Sequence, residues 1–388
     1  MPLLAALILV MNLAPADTFV PVRTVKVSQV TGDFDRERKL PTLNLAESRY
    51  GVRGIDLGAS FEHDGKLVFL FGDTWPVGRH TPDRPIDGDA IAVSSDTNGE
   101  DGLHLSFLTA DDGKYLAVQI PGVSLKGFEV PNGGFSHGGA MYGFYTTDAT
   151  WLPNEFFMGR SILGRSTDGK RWEFVRDVSK DKFINISPWA VDASKVAGLP
   201  DSKGKGLLMW ASGRRYRASD PFLAYTPLDR IHEGSAMRYW AGPDKWSDSE
   251  GEAKPLFAHP HIGEISVGWC EPLKTWMMLY NSGEPRGIHM RTAPNPWGPW
   301  SEPKIVFNPD DGYGRFMHVS WKDRKVDEVH DPGRENEYGG EYGPYMIPRF
   351  FRKTSGGATI YYLLSTWNPY QVVLMRTDLE RKPAPVGR

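Results

Sequence analysis

Two aspartates bracket a hairpin signal. Between the apolar runs Leu57–His63 and Lys66–Gly72 lies Asp64-Gly65, a dipeptide strongly favoured in a two-residue β-hairpin turn. With that turn His63 faces Lys66, and stepping back along both strands brings Asp56 directly opposite Asp73. Directly opposed residues on antiparallel strands hold their Cβ atoms about 4.5–5.5 Å apart, and like charges there destabilise the pair. Such a cost calls for a functional reason. Glycoside hydrolysis supplies one: a carboxylic acid protonates the leaving oxygen while a carboxylate attacks the sugar or activates water. Mutual repulsion raises one pKa, so one group holds a proton while its neighbour stays ionised. A separation of about 5 Å would give retention and a wider one inversion. Two other readings compete. Asp beside a strand forms Asx turns, and Gly54 and Gly58 flank Asp56 as in a tight loop; alternatively a metal, or the adjacent Arg53, neutralises the pair.

Other side chains could support this chemistry. Glu264, in Gly-Glu-Ile-Ser, is the leading third carboxylate, as a sugar-hydroxyl acceptor or pKa modulator, and Asp192 is next. With Asn132 and Tyr345, these residues are expected to open inner strands around a common funnel. Trp75, Trp189 and Trp269 could present faces to sugar rings, although packing is the commoner fate of tryptophan. His137 and His318 read as hydrogen-bond donors. Metal-binding histidine motifs, a phosphate-cradling glycine loop and a serine nucleophile elbow are all missing from the sequence, and no cofactor is expected.

The elements that must position these groups repeat. A short strand ending in a Ser/Thr turn recurs as Ile91–Ser95, Ile162–Ser166, Phe222–Thr226, Ile288–Thr292 and Val373–Thr377. A hairpin is expected before each copy, as at Asp64-Gly65, Gly138-Gly139, Glu271-Pro272 and Gly356-Gly357. A further strand follows each copy except the last. The alternating segment Thr24–Val30 can supply that missing strand from the other end of the chain, removing an open sheet edge. The fold expected is all-β: one five-bladed β-propeller over residues 17–388, with a β-sandwich as the competitor.

On these residues the chain resembles a known family. Gly54-Ile55-Asp56-Leu57-Gly58, Phe71-Gly72-Asp73-Thr74-Trp75 and Arg165-Ser166-Thr167-Asp168-Gly169-Lys170-Arg171-Trp172 are similar to motifs of the endo-D-arabinofuranase glycoside hydrolases, long catalogued as a domain of unknown function. The resemblance implies a five-bladed propeller that cleaves within D-arabinan of mycobacterial-type cell walls, with Asp56 and Asp73 catalytic. Two other classes compete: a carbohydrate-binding propeller, which needs no opposed acids, and a sialidase-like enzyme, which needs converging arginines such as Arg53, Arg214 and Arg215.

The formal charge of −3 gives no footprint for nucleic acid or for an anionic membrane surface. A neutral polysaccharide partner and a monomer are expected. Residues 1–16 combine a short apolar run with Ala14-Pro15-Ala16, like an export signal, although no Lys or Arg precedes the run. Too short to span a bilayer, the segment predicts a secreted or periplasmic protein.

Overall fold

A computed structural model of the chain describes residues 18–153, 155–310, 312–317 and 339–383. The expected leader, residues 1–16, and His318 lie outside the described residues. Five antiparallel sheets form a closed ring. Blade one consists of Val52–His63, Lys66–Pro76, Gly88–Ser94 and Ser106–Phe107; blade two of Pro131–His137, Ala140–Thr147, Arg160–Ser166 and Glu173–Ser179. Blade three runs Asn185–Asp192, Lys205–Ser212, Pro221–Pro227, Arg238–Gly242 and Lys245–Ser247. Blade four contains Ile265–Cys270, Thr275–Gly283, Arg286–Ala293 and Lys304–Phe307. All five repeated Ser/Thr-ended segments are third strands.

Blade five joins the two ends of the described chain. Glu341–Met346, Gly357–Thr366 and Gln371–Lys382 are completed by Thr18–Gln29, with Thr24 opposite Thr377 and Val25 opposite Arg376. The closing strand therefore stands where the sequence placed it. Each inner strand packs on the next, and that of blade five packs back on blade one.

The second strands read as continuous apolar runs because both faces of a blade are covered. Phe69 and Phe71 bury against Leu363 and Leu374 of blade five, while Leu70 lies on the other face with Tyr145 and Ile162 of blade two. This two-sided burial accounts for the absence of alternation in Lys66–Gly72.

The first hairpin departs from the simple register. Asp64 and Gly65 both hold positive φ, 47° and 76°, and His63 pairs with Lys66 as a two-residue turn requires. At Gly58 (φ 109°) the first strand carries a bulge, so Leu57 faces Phe71 and Asp56 faces Gly72. Asp73 adopts φ 35°, and pairing resumes with Gly54 opposite Trp75. The direct Asp56–Asp73 pairing is thus corrected by one residue. The bulges twist the strand end and re-aim both acids.

Gly58 has no room for a side chain: a Cβ there would lie 2.6 Å from Leu363 Cδ1 and 3.0 Å from the Phe71 ring. Gly58→Ala should lose on the order of 2–4 kcal/mol, because positive φ and overpacking act together. Urea unfolding measures this; a wild-type midpoint would mean that the bulge is not needed.

Candidate active site

All five inner strands begin at the same end of the ring, and that end is acidic and aromatic. A cavity of about 560 Å³ opens there, lined by Asp56, Asp73, Trp75, Asn132, Asn185, Arg217, Glu264, Tyr342 and Tyr370 among others. Asp56 is buried, and its Oδ2 accepts from Tyr342 at 2.8 Å and, at 3.4 Å, from the Tyr370 hydroxyl, whose one proton is shared with the Asp73 carbonyl at 2.8 Å. Its Oδ1 has no partner among the described residues. Gly72, directly opposite, leaves that oxygen space, since a Cβ on residue 72 would stand 2.9 Å from it.

Burial, with a smaller push from the Glu264 charge, drives the Asp56 carboxyl up to about 7 against the Tyr342 and Tyr370 hydrogen bonds and Arg217. Asp73 is pushed well above the usual carboxylate range, first by burial and next by the Asp56 charge. The Phe128 N–H, 3.0 and 3.1 Å from its two oxygens, works against that rise. The pair is electrostatically coupled even though the two residues are not cross-strand partners. Both carboxyls cannot ionise together at low cost, so they lose their protons in separate steps.

A third acid, Asp89, lies behind them at the start of the third strand of blade one. It is fully buried, and neither of its oxygens has a hydrogen-bond partner among the described residues. Burial, then the charges of Asp73 and Asp56, raise its pKa strongly. Among the described residues no cluster of His, Cys, Asp or Glu has the arrangement of a metal site.

The remaining walls are aromatic. Trp75 donates to Asp87 Oδ1 at 2.6 Å, and its ring lies 5.2 Å from that of Tyr370. Trp151, 66% exposed, and Trp367, 48% exposed, stand on the rim, an unusual exposure for tryptophan and a suitable one for sugar stacking.

Several expected site residues lie elsewhere. Asp192 closes the blade-three inner strand instead of opening it. Eight residues of strand carry it about 23 Å from Asn185, which takes its place at the cavity. It is exposed and accepts hydrogen bonds from Ser194, which lower its pKa. His137, at the far end of the blade-two inner strand, is displaced for the same reason. Trp189 packs over Gly268 and lines the channel toward the opposite mouth. Trp269 donates to Glu271 at 2.7 Å and packs against Trp276. Tyr345 is buried deeper in the channel; Tyr342, three residues earlier, reaches Asp56. Arg53 lines a neighbouring cavity of about 350 Å³, which shares Trp75 and Tyr370 with the acidic one. Asn132, Glu264 and Trp75 are at the acidic cavity as expected. The arginines needed for a sialidase-like site do not converge: Arg214 stacks on Phe157, Arg215 pairs with Glu155 and Arg53 is separate.

Asp89, Arg217, Tyr342 and Tyr370 were not anticipated. Tyr342 had a findable signal, because it stands near the start of an inner strand, at the same end of the ring as Asp56 in blade one. Arg217 and Tyr370 sit in loops whose reach no periodicity reveals.

Residues 42–376 match the family described as a domain of unknown function, DUF4185. The chain belongs to the DUF4185 family. Among curated relatives, it is 24% identical to notoamide biosynthesis cluster protein J of Aspergillus sp. (strain MF297-2), over 73% of this chain and 79% of that one. Protein J' of Aspergillus versicolor is 25% identical, over 70% and 77%. Solved structures similar to this DUF4185 chain include an exo-β-1,3-galactanase from Phanerochaete chrysosporium: 8% identity, TM-score 0.48, covering 90% of this chain. The chain spans 64% of that galactanase's length. The catalytic domain of a family-62 α-L-arabinofuranosidase from Coprinopsis cinerea is 11% identical, with TM-score 0.45, covering 92% of this chain and 97% of that one.

The Asp56 environment predicts a pH-dependent stability change. Its folded pKa lies above the unfolded value, so its carboxyl costs no stability below about pH 4 and an increasing amount as pH rises toward 7. Asp56→Asn should therefore match wild type near pH 3.5 and exceed it at pH 8 by a few kcal/mol, at about 1.4 kcal/mol per pKa unit. Calorimetry at the two pH values tests this; equal stability at pH 8 would show that Asp56 is not strained in the fold.

Proposed function

We propose that this chain is a glycoside hydrolase cleaving internal furanosidic bonds of a polysaccharide, with D-arabinan the first candidate. The observation carrying the reading is the coupled pair Asp56 and Asp73 at the base of an aromatic cavity of ligand size. A carbohydrate-binding propeller could use the aromatic walls but has no need for two neighbouring acids whose pKa values are raised by burial.

The roles follow from the contacts. Asp73 is pushed well above the usual carboxylate range and is the more exposed of the two, which suits the proton-donating acid. Asp56 has Oδ2 pinned by two phenols and Oδ1 unpaired, which suits the carboxylate that attacks the sugar or draws a proton from water. Trp75, Trp151 and Trp367 would stack on flanking sugars. The choice of D-arabinan comes from the motifs Gly54–Gly58 and Phe71–Trp75, which resemble those of endo-D-arabinofuranases. Export, proposed from residues 1–16, suits a substrate too large to enter a cell, and the enzyme would act as a monomer without a cofactor.

The test is incubation with D-arabinan, L-arabinan, xylan and arabinogalactan. Short oligosaccharides from D-arabinan are expected, with little free arabinose. Asp56→Asn and Asp73→Asn should each lower kcat by about 10²–10⁴-fold. The double variant should lose little more, because the two residues act as a unit. Near-normal turnover by either folded variant would remove that residue from the mechanism.

A further inference from the structure

The wall facing Asp56 carries an ion pair that only half satisfies itself. Arg217 Nη2 donates to Glu264 Oε1 at 3.0 Å. Glu264 Oε2 and Arg217 Nε are buried and have no partner among the described residues. Glu264 is 7% exposed, and both residues line the acidic cavity. Leaving buried donors and acceptors unpaired is costly. A nearby pair shows the contrast: Arg286 engages Glu341 Oε2 through Nε at 3.2 Å and Nη2 at 2.9 Å, and Nη2 also reaches the Gly339 carbonyl at 2.7 Å.

Arg217 is also held in place. Its backbone has φ 53°, and its guanidinium lies between the rings of Tyr216 and Tyr342, at 4.7 and 4.9 Å. Tyr342 is in turn the phenol that donates to Asp56. A fixed acceptor beside a fixed donor, on two side chains that line one cavity, complements two neighbouring hydroxyl groups.

We propose that Glu264 and Arg217 form the recognition clamp for the sugar ring, with Glu264 Oε2 accepting from one hydroxyl and Arg217 Nε donating to an adjacent oxygen. The inference rests on the glycosidase reading and deepens it: the ring recognised is neutral and carries vicinal hydroxyls. Arg217 has its charge matched by Glu264, and Asp56, Asp73 and Asp87 line the remaining space, so a carboxylated or phosphorylated sugar would be repelled.

The clamp leaves a signature on Asp56. That carboxyl is faced by Asp73 and Asp89 of blade one, Arg217 from a blade-three loop, Glu264 of blade four, and Tyr342 and Tyr370 of blade five. Beyond burial, Glu264 raises its pKa and Arg217 lowers it. Neutralising each member should therefore move Asp56 in opposite directions.

The experiment compares wild type, Glu264→Gln, Arg217→Gln and Arg217→Lys on D-arabinan, recording kcat and KM against pH with thermal melting as a check on folding. KM should rise about tenfold or more in each variant, with kcat at optimal pH within a few-fold, as expected for lost hydrogen bonds to the bound ring. The acid limb should move down in Glu264→Gln and up in Arg217→Gln. Arg217→Lys, which keeps the charge but loses the fixed fork, should raise KM without moving the limb. If Arg217→Gln fails to fold, Arg217→Lys and Glu264→Gln still decide. Active wild type with unchanged KM in the folded variants, or limbs moving the same way, would overturn the clamp. Wild type inert on every glycan would overturn the glycosidase reading itself.

Discussion

Burying three carboxyl groups at one strand end is the constraint on which this site depends. Asp56, Asp73 and Asp89 all belong to blade one, and among the described residues no cation forms an ion pair with any of them. Isolated carboxylates cannot be taken from water at tolerable cost, so such groups hold protons or accept hydrogen bonds. Each does one or both. Asp56 takes two phenolic donors and Asp73 takes a backbone N–H, while Asp89, whose oxygens have no hydrogen-bond partner among the described residues, has its pKa pushed strongly upward, first by burial and then by the Asp73 and Asp56 charges. Tyr115 and Tyr145, whose own hydroxyls lack partners, feel the Asp89 charge as an upward push on their pKa values after that of burial. The acidic end is thus a place where the fold gives up stability to set protonation states.

The rest of blade one accommodates that burden. Gly58 lets the strand bulge between Phe71 and Leu363, Gly72 leaves room for the unpaired oxygen of Asp56, and the left-handed Asp73 swings its carboxyl to the Phe128 amide. These local conformations are individually costly. They persist because the neighbouring blades over-determine them: Phe69 and Phe71 are fully buried against blade five, and the terminal strand Thr18–Gln29 leaves that blade no open edge.

Much of this was legible in the sequence because local rules carried it. Asp64-Gly65 specifies a hairpin by its backbone preferences, and five Ser/Thr-ended strands specify five blades by repetition. The pairing of Asp56 with Asp73 missed by one residue because a bulge adds a residue without changing the hydrophobic pattern; Gly58 was its only trace. Asp192, His137, Trp189 and Trp269 were misplaced for a different reason. Asp192 was expected on an inner strand, where it lies, but at the other end; all four residues stand at or toward the far end of their inner strands, and up to eight residues of strand separate the two mouths of the channel. Arg217 reaches the site from a loop, through a left-handed backbone that no period announces.

Strand direction, once known, turns the five repeats into a map of the site. Each inner strand leaves the acidic end, so each blade places a residue near its first position there: Asp56, Asn132, Asn185, Glu264 and Tyr342. All five are polar, although the strands they open run inward between apolar blade faces. A ring of five single contributions sets charge, acceptor and donor groups around one cavity with no two from neighbouring positions in the chain. The consequence is a division of labour between strands and loops. The strands supply groups whose places are fixed by the sheet, including Asp56 and Glu264, while Arg217, Tyr370, Trp151 and Trp367 come from the connecting segments. Trp151 does so on a separate short hairpin, Thr150–Leu152 with Glu155–Phe157. The strand-end groups are therefore tied to the part of the fold that cannot move without opening the ring, and the loop groups lie where sequence can change without disturbing the blades.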